Sequence, residues 1–235
     1  MSDRGNRTRD AALREALAGA CRELGRRGLS HGTSGNVSVR RDQASFYVSP
    51  TGIAGDALEP AEVALVEFDG SWSGSRRPSS EWRFHREIFR SRADAGAIVH
   101  THSQHATALA CTRRGIPAFH YMVAVAGGAD IRCAAYHTFG SPELAQSAVT
   151  ALRDRTACLL ANHGLIAMGA DLRAAVALAD EVENLAAQYC AALVLGNVQI
   201  LPEEEMRRVG EKFRTYGRQD ALDPELRFRG EGTGD

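Results

Sequence analysis

Between Pro78 and Ser103 the sequence reads P-S-S-E-W-R-F-H-R-E-I-F-R-S-R-A-D-A-G-A-I-V-H-T-H-S, which narrows the backbone to a loop, a helix and a strand in turn. Ser79, Ser80 and Glu81 sit where the loop becomes a helix. Trp82, His85, Ile88 and Phe89 then share one helical face. A short apolar run, Ala97-Ile98-Val99, leads into His100-Thr101-His102. Alternate side chains of an extended strand point the same way, so His100 and His102 share a face about 7 Å apart along the chain. A third histidine, His163, follows in Asn162-His163-Gly164, between two apolar runs.

The rest of the chain alternates in type without a regular β-α-β-α order. Helices are expected over Thr8–Arg27, from about Ala106 to Cys111, over Ser141–Arg153, from the N-cap Asp171 to about Leu195, and from Pro202 to about Tyr216. Strands are expected at Val37–Val39, Phe46–Val48, 63–68, Ile131–Ala134, Cys158–Leu160 and Leu165–Ala167. Ser71–Ser80 reads as a loop. Several strands are joined by connections too short for crossovers, so the sheet should be mainly antiparallel. No repeat or long linker divides the chain. One domain over 1–235 is expected, with flexible tails at 1–7 and 218–235.

Composition excludes several classes of function. A hydrophobic fraction of 44% is enough for a packed core. A formal net charge of -1 gives no reason to expect nucleic acid or an anionic membrane as partner. The charged N-terminus lacks an apolar signal core, and no apolar run approaches the roughly 18 residues of a membrane span. Cys21, Cys111, Cys133, Cys158 and Cys190 are odd in number and widely spaced, which points to reduced thiols in a cytoplasmic protein. Arginine dominates the cations, and Lys212 is the only lysine.

Three imidazoles could hold a divalent ion and leave a coordination position open, as catalysis requires. The competing reading is three unrelated histidines, each satisfied by hydrogen bonds. Glu81 also reads two ways: as a first-turn acid complementing the helix dipole, or as a base or extra ligand beside the metal. Thr33, Ser34, Gly35, Asn36, Thr51, Gly52, Ser79 and Ser80 lie in polar turns. Such donors can bind phosphate without lysine, or serve only as turn residues. His85 is expected in the core or behind a ligand. His31, His105, His120 and His137 lie near loops.

Seven blocks then carry a resemblance: GTSGNVSVR (32–40), SPTGI (49–53), RPSSEWRFH (77–85), IVHTHS (98–103), IPAFHYMVAVAGG (116–128), TFGSPELA (138–145) and NHGLIAMG (162–169). In this order they resemble the class II aldolase/adducin family, above all its L-fuculose-1-phosphate aldolase branch, across roughly residues 8 to 216. The resemblance implies α/β/α layers around a mainly antiparallel sheet, and a fourfold-symmetric tetramer with active sites between subunits. It also implies one divalent ion per subunit, zinc first with manganese or cobalt as alternatives, held by His100, His102, His163 and Glu81. It gives Glu81 the acid/base role and makes Gly35, Asn36, Thr51, Gly52, Ser79 and Ser80 the phosphate pocket. Tyr121 would reach into the neighbouring subunit's site, and Phe213 and Tyr216 would belong to a segment that closes over substrate.

The implied reaction is retro-aldol cleavage of a ketose 1-phosphate, a small sugar phosphate, to dihydroxyacetone phosphate and an aldehyde. Gln104-His105 and His137 depart from the family pattern. They leave L-fuculose, 5-deoxyribulose and 5-methylthioribulose 1-phosphate all open as substrates. Alternatives within the fold are a pentulose-phosphate 4-epimerase, a methylthioribulose-1-phosphate dehydratase or a non-catalytic adducin-like module.

Overall fold

Period-two burial along the strands sorts the core onto two faces of one sheet. Val37, Val39, Tyr47, Ala97, Val99, Leu159, Leu165 and Ala167 join one apolar cluster. Their sequence neighbours Phe46, Val48, Ile98, Cys158, Leu160, Ile166 and Met168 join the other. A sheet apolar on both faces must be covered on both, and helices do so here. The computed structural model describes residues 3–215.

The elements run α1 (Asp3–Arg26), β1 (Asn36–Arg40), β2 (Ser45–Val48), β3 (Ala64–Glu67), β4 (Trp72–Ser73), α2 (Trp82–Ser91), β5 (Ala97–Thr101), α3 (Gln104–Cys111), β6 (Arg132–Ala134), α4 (Pro142–Ala151), β7 (Ala157–Leu160), β8 (Gly164–Gly169), α5 (Leu172–Leu195) and α6 (Glu203–Phe213). The sheet order is β4-β3-β2-β1-β5-β8-β7-β6. Every pairing is antiparallel except β6 with β7, where α4 forms the crossover that a parallel pair needs. The expected α/β/α architecture around a mainly antiparallel sheet therefore holds.

One layer is built from α1, α3, α5 and α6, which bury Leu17, Leu24, Leu109, Val176, Val182, Leu185 and Met206. The other is α2 and α4, burying Phe84, Ile88, Phe89, Leu144, Ala148 and Leu152. Each fully buried large side chain contributes about 1.5–3 kcal/mol. The C-terminal end of α2 is tied to β1 by Arg40, whose guanidinium donates to the carbonyls of Phe89, Arg92 and Ala95 at 2.7–2.9 Å. A cation there complements the helix dipole and fixes the helix against the sheet. Asp171 caps α5 by accepting from Ala174 N–H, as expected.

Some boundaries differ from the sequence reading. Helix α1 starts at Asp3, not near Thr8, and residues 5–9 stay exposed. Gly5 and Asn6 are weak helix formers and the apolar stripe begins only at Leu13, so nothing in the sequence pattern announces this first stretch of helix. The stretch read as a loop, Ser71–Ser80, contains the two-residue strand β4, paired to β3 through its backbone with both side chains exposed. A 3-10 turn at Pro60–Glu62 has a capping box. Tyr121–Ala126, within the 116–128 block, forms another 3-10 helix, ended by Gly127. Tyr216 and the expected tail at 218–235 lie outside the described residues.

Candidate metal centre and active site

Strand β5 delivers the first two imidazoles. His100 is its penultimate residue, and His102 follows just past its end. His163 comes from the turn between β7 and β8, where Asn162 takes a left-handed backbone (φ 53). Gly164 then opens β8 against the end of β5. A Cβ on Gly164 would lie 2.3 Å from the Thr101 carbonyl oxygen and 3.0 Å from the His102 ring. Only a bare Cα lets the two ligand-bearing segments come this close.

The three rings form a nearly regular triangle, with centroids 4.8, 4.8 and 4.9 Å apart and planes 72–76° from one another. Glu81 completes the group. It stands at the N-cap of α2, yet its side chain makes no capping bond. Its carboxylate instead lies 3.2 Å from His100 Nε2 and 3.3 Å from His163 Nε2. One ligand atom from each of Glu81, His100, His102 and His163 falls within 4.8 Å of all the others. Of the two readings of Glu81, helix-dipole partner or group beside a metal, this geometry favours the second.

The donor set fits a cation on three counts. His100 donates its Nδ1 proton to the Leu165 carbonyl at 2.9 Å, so Nε2 is the atom left facing the cluster, for a proton or for a cation. That nitrogen is 3.0 Å from His102 Nε2, so two imidazole nitrogens face each other and need a proton or cation between them. Glu81 Oε1 is buried without a hydrogen-bond partner. Burial and the adjoining His100 push the imidazoles of His102 and His163 down to about 4, which keeps them neutral. Burial acts to raise the Glu81 carboxyl, but His100, His163 and the Asn36 amide outweigh it and hold the group at about 2. Neutral nitrogens around an ionised carboxylate are what a divalent ion selects.

A cleft of about 340 Å³ opens over this cluster. Its walls include all six residues expected in a phosphate pocket: Gly35, Asn36, Thr51, Gly52, Ser79 and Ser80. Gly35 has φ +81, and a Cβ there would meet the His100 carbonyl at 2.8 Å, so the donor loop lies directly on the ligand strand. Among the described residues no lysine or arginine lines the cleft, and the hydroxyl, amide and backbone donors of these six are neutral. Asn36 does more than face the cleft: its amide donates to Glu81 Oε2 at 3.0 Å.

Other candidates separate clearly. Tyr121 lies outside this cleft, 49% exposed, stacked on His120 and 6.4 Å from the Phe213 ring. Of the two departures from the family pattern, only His137 lines the cleft. His105 turns away to Glu183 on α5. Sequence reasoning missed Tyr136 and Phe139, exposed aromatics on the cleft wall, and Asn162 beside His163. The signal available was two aromatic residues in a loop just before the Ser141-Pro142 helix start.

Comparison with known proteins agrees with this arrangement. Residues 15–190 match the family described as Class II Aldolase and Adducin N-terminal domain. The chain is 52% identical over 206 residues to a 5-methylthioribulose-1-phosphate/5-deoxyribulose-1-phosphate aldolase of Rhodospirillum rubrum, covering 88% of this chain and 93% of that protein. It is 46% identical to an L-fuculose phosphate aldolase of Escherichia coli, covering 87% of this chain and 95% of the relative. A solved L-fuculose 1-phosphate aldolase superposes with a TM-score of 0.84 at 40% identity, over 86% of this chain and 96% of that one.

Proposed function

We propose that this chain, which belongs to the class II aldolase and adducin family, cleaves a ketose 1-phosphate to dihydroxyacetone phosphate and an aldehyde. The substrate class is a 5-deoxy-ketose 1-phosphate: 5-methylthioribulose, 5-deoxyribulose or L-fuculose 1-phosphate, in line with what the similar proteins are named for. The observation that carries the reading is the convergence of His100, His102, His163 and Glu81 on one point beneath a cleft lined with neutral donors.

His100, His102 and His163 would hold one divalent ion together with Glu81. Zinc suits three imidazoles and a carboxylate, with manganese or cobalt as alternatives. When bound, such an ion supplies Lewis-acid stabilisation of negative charge developing on oxygen. The chain's own groups do the rest. Gly35, Asn36, Thr51, Gly52, Ser79 and Ser80 orient the phosphate end. As the C3–C4 bond breaks, the C4 hydroxyl loses its proton and C4 becomes the aldehyde carbon. The bond's electron pair moves toward the C2 oxygen and then forms the C3–H bond with a proton that Glu81, ionised at rest, takes up from solvent and delivers, while the proton of the C4 hydroxyl leaves to solvent by way of Tyr121. With Oε1 unpartnered and the carboxyl ionised, Glu81 is suited to carry that proton in both directions.

Tyr121 assists proton transfer at the C4 hydroxyl from a neighbouring subunit of a fourfold tetramer. Its exposure, and its absence from the lining of its own chain's cleft, support that assignment. Tyr216 is proposed for the closing segment with Phe213. A cytoplasmic location fits the five free cysteines, and no described helix is long and apolar enough to cross a membrane.

The test is a panel of ketose 1-phosphates that differ beyond C4, incubated with metal-loaded protein while dihydroxyacetone phosphate is measured. We expect release from 5-deoxy substrates and loss of release on chelation. Accumulation of a C4 epimer without release would contradict the proposal.

A further inference from the structure

Behind Glu81 a line of polar side chains runs into an otherwise apolar layer. Glu81 Oε2 accepts from Asn36 Nδ2 at 3.0 Å. Asn36 Oδ1 lies 2.5 Å from His85 Nε2, and His85 Nδ1 lies 2.7 Å from Ser38 Oγ. Two periodicities build the line. Asn36 and Ser38 are two apart on β1 and share a face, and Glu81 and His85 are four apart at the start of α2. His85 and Ser38 are fully buried, and Asn36 is nearly so. Phe84, Ile98 and Ile88 make up the apolar core on the same side of the sheet.

The direction of every bond in the line follows from its outer end. An ionised carboxylate only accepts, so Asn36 must present its NH₂ to Glu81. Its carbonyl then faces His85 and also only accepts, so Nε2 must carry the proton. Burial drives His85 down to about 3, so the ring is neutral and Nδ1 is a lone pair. The Ser38 hydroxyl therefore donates to it. Were His85 to hold its proton on Nδ1, the amide would be free to turn its oxygen toward the carboxylate.

We propose that His85 is a positioning residue for Glu81: its Nε2–H, with the Ser38 hydroxyl donating to Nδ1, locks the Asn36 amide with NH₂ toward Oε2. That lock anchors Oε2 and leaves Oε1 facing His163 and the cleft. Its kinetic consequences rest on the aldolase reading; its tautomer and metal-binding consequences do not.

The experiment combines nitrogen NMR with three variants of the full chain. In the parent, ¹⁵N-labelled His85 should report a proton on Nε2 and an accepting Nδ1; a proton on Nδ1 would overturn the proposal. His85→Leu, which fills the site without a donor, should lower kcat about 100-fold with KM within threefold. Hydrogen exchange at C3 of dihydroxyacetone phosphate should fall in parallel, and zinc affinity should drop about tenfold. His85→Gln, which can donate to Asn36, should recover at least half of each loss on a logarithmic scale. Equal losses for Leu and Gln, or parent-level exchange in His85→Leu, would refute the lock. Ser38→Ala removes one small hydroxyl and keeps the test alive should His85→Leu fail to fold. It should cost about tenfold in kcat and mix the His85 tautomers, and an unmixed Nε2–H ring with parent kcat would contradict the scheme. A parent with no cleavage or exchange would sink the aldolase reading instead, leaving the tautomer and zinc affinity to decide the role of His85.

Discussion

The floor of the cleft and its walls are built in opposite ways. The floor is the cluster of Glu81, His100, His102 and His163, fixed by strand ends, a helix start and close backbone contact, with His100 fully buried and Glu81 nearly so. The walls are turns: Thr33–Asn36, Thr51–Gly52, Ser79–Ser80 and Tyr136–Phe139, with Thr51, Ser80, Tyr136 and Phe139 exposed. Chemistry that tolerates little displacement is placed where the sheet sets every side chain. On the proposed reading, recognition of the substrate's two ends falls to the turns, whose exposed residues Thr51, Ser80, Tyr136 and Phe139 can change without disturbing the cluster, whereas Gly35 and Asn36 touch it directly.

Breaking the floor should therefore cost far more than altering a wall. His163→Ala removes one ligand and should abolish stoichiometric zinc binding and lower cleavage by at least about 10³-fold, measured by metal analysis and dihydroxyacetone phosphate release. Glu81→Gln would keep an oxygen at the proposed metal site but lose the proposed base. Metal should stay, and deuterium exchange into dihydroxyacetone phosphate should fall about 10²–10⁴-fold. Exchange at the parent rate would remove Glu81 from the acid/base role. Gly164→Ala would push a methyl group into the Thr101 carbonyl and should destabilise the fold by about 2–4 kcal/mol, read from denaturant midpoints. At the wall, Ser80→Ala should raise KM for the phosphorylated substrate about tenfold with kcat nearly unchanged, the value of one hydrogen bond to a charged group.

A milder probe is pH. His85, His102 and His163 have folded values of about 3, 4 and 4, below the unfolded value of 6.5. Below pH 6.5 the unfolded chain takes up protons that the folded chain refuses. Stability of the metal-free protein should thus fall as pH drops from 6.5 toward 4, and on to 3 for His85. Above 6.5 these groups contribute no slope. In His85→Leu the slope between pH 6.5 and 3 should be shallower than in the parent.

Much of the floor was legible in the sequence, for physical reasons. Strand alternation puts His100 and His102 on one face, and an Asn-His-Gly turn between apolar runs marks His163. The seven blocks carried Glu81 into the same group. What sequence periodicity does not encode is pairing. That β5 lies between β1 and β8 brings Asn36 beside His100 and Leu165 beside the His100 ring, and no local pattern announces it. The line from Ser38 through His85 to Asn36 joins two elements far apart in the chain, so His85 read only as a core or supporting histidine. Wall residues such as Tyr136 and Phe139 leave no periodic trace at all. The strand β4 was hidden because its pairing is entirely backbone and its side chains face solvent.

X-ray absorption on zinc-loaded protein tests the proposed metal centre most directly. One zinc per chain is expected, with three imidazole nitrogens in its first coordination sphere, no sulfur, and loss of that spectrum in His100→Ala. Sulfur scattering, fewer than two imidazoles, or an unchanged spectrum in His100→Ala would contradict it.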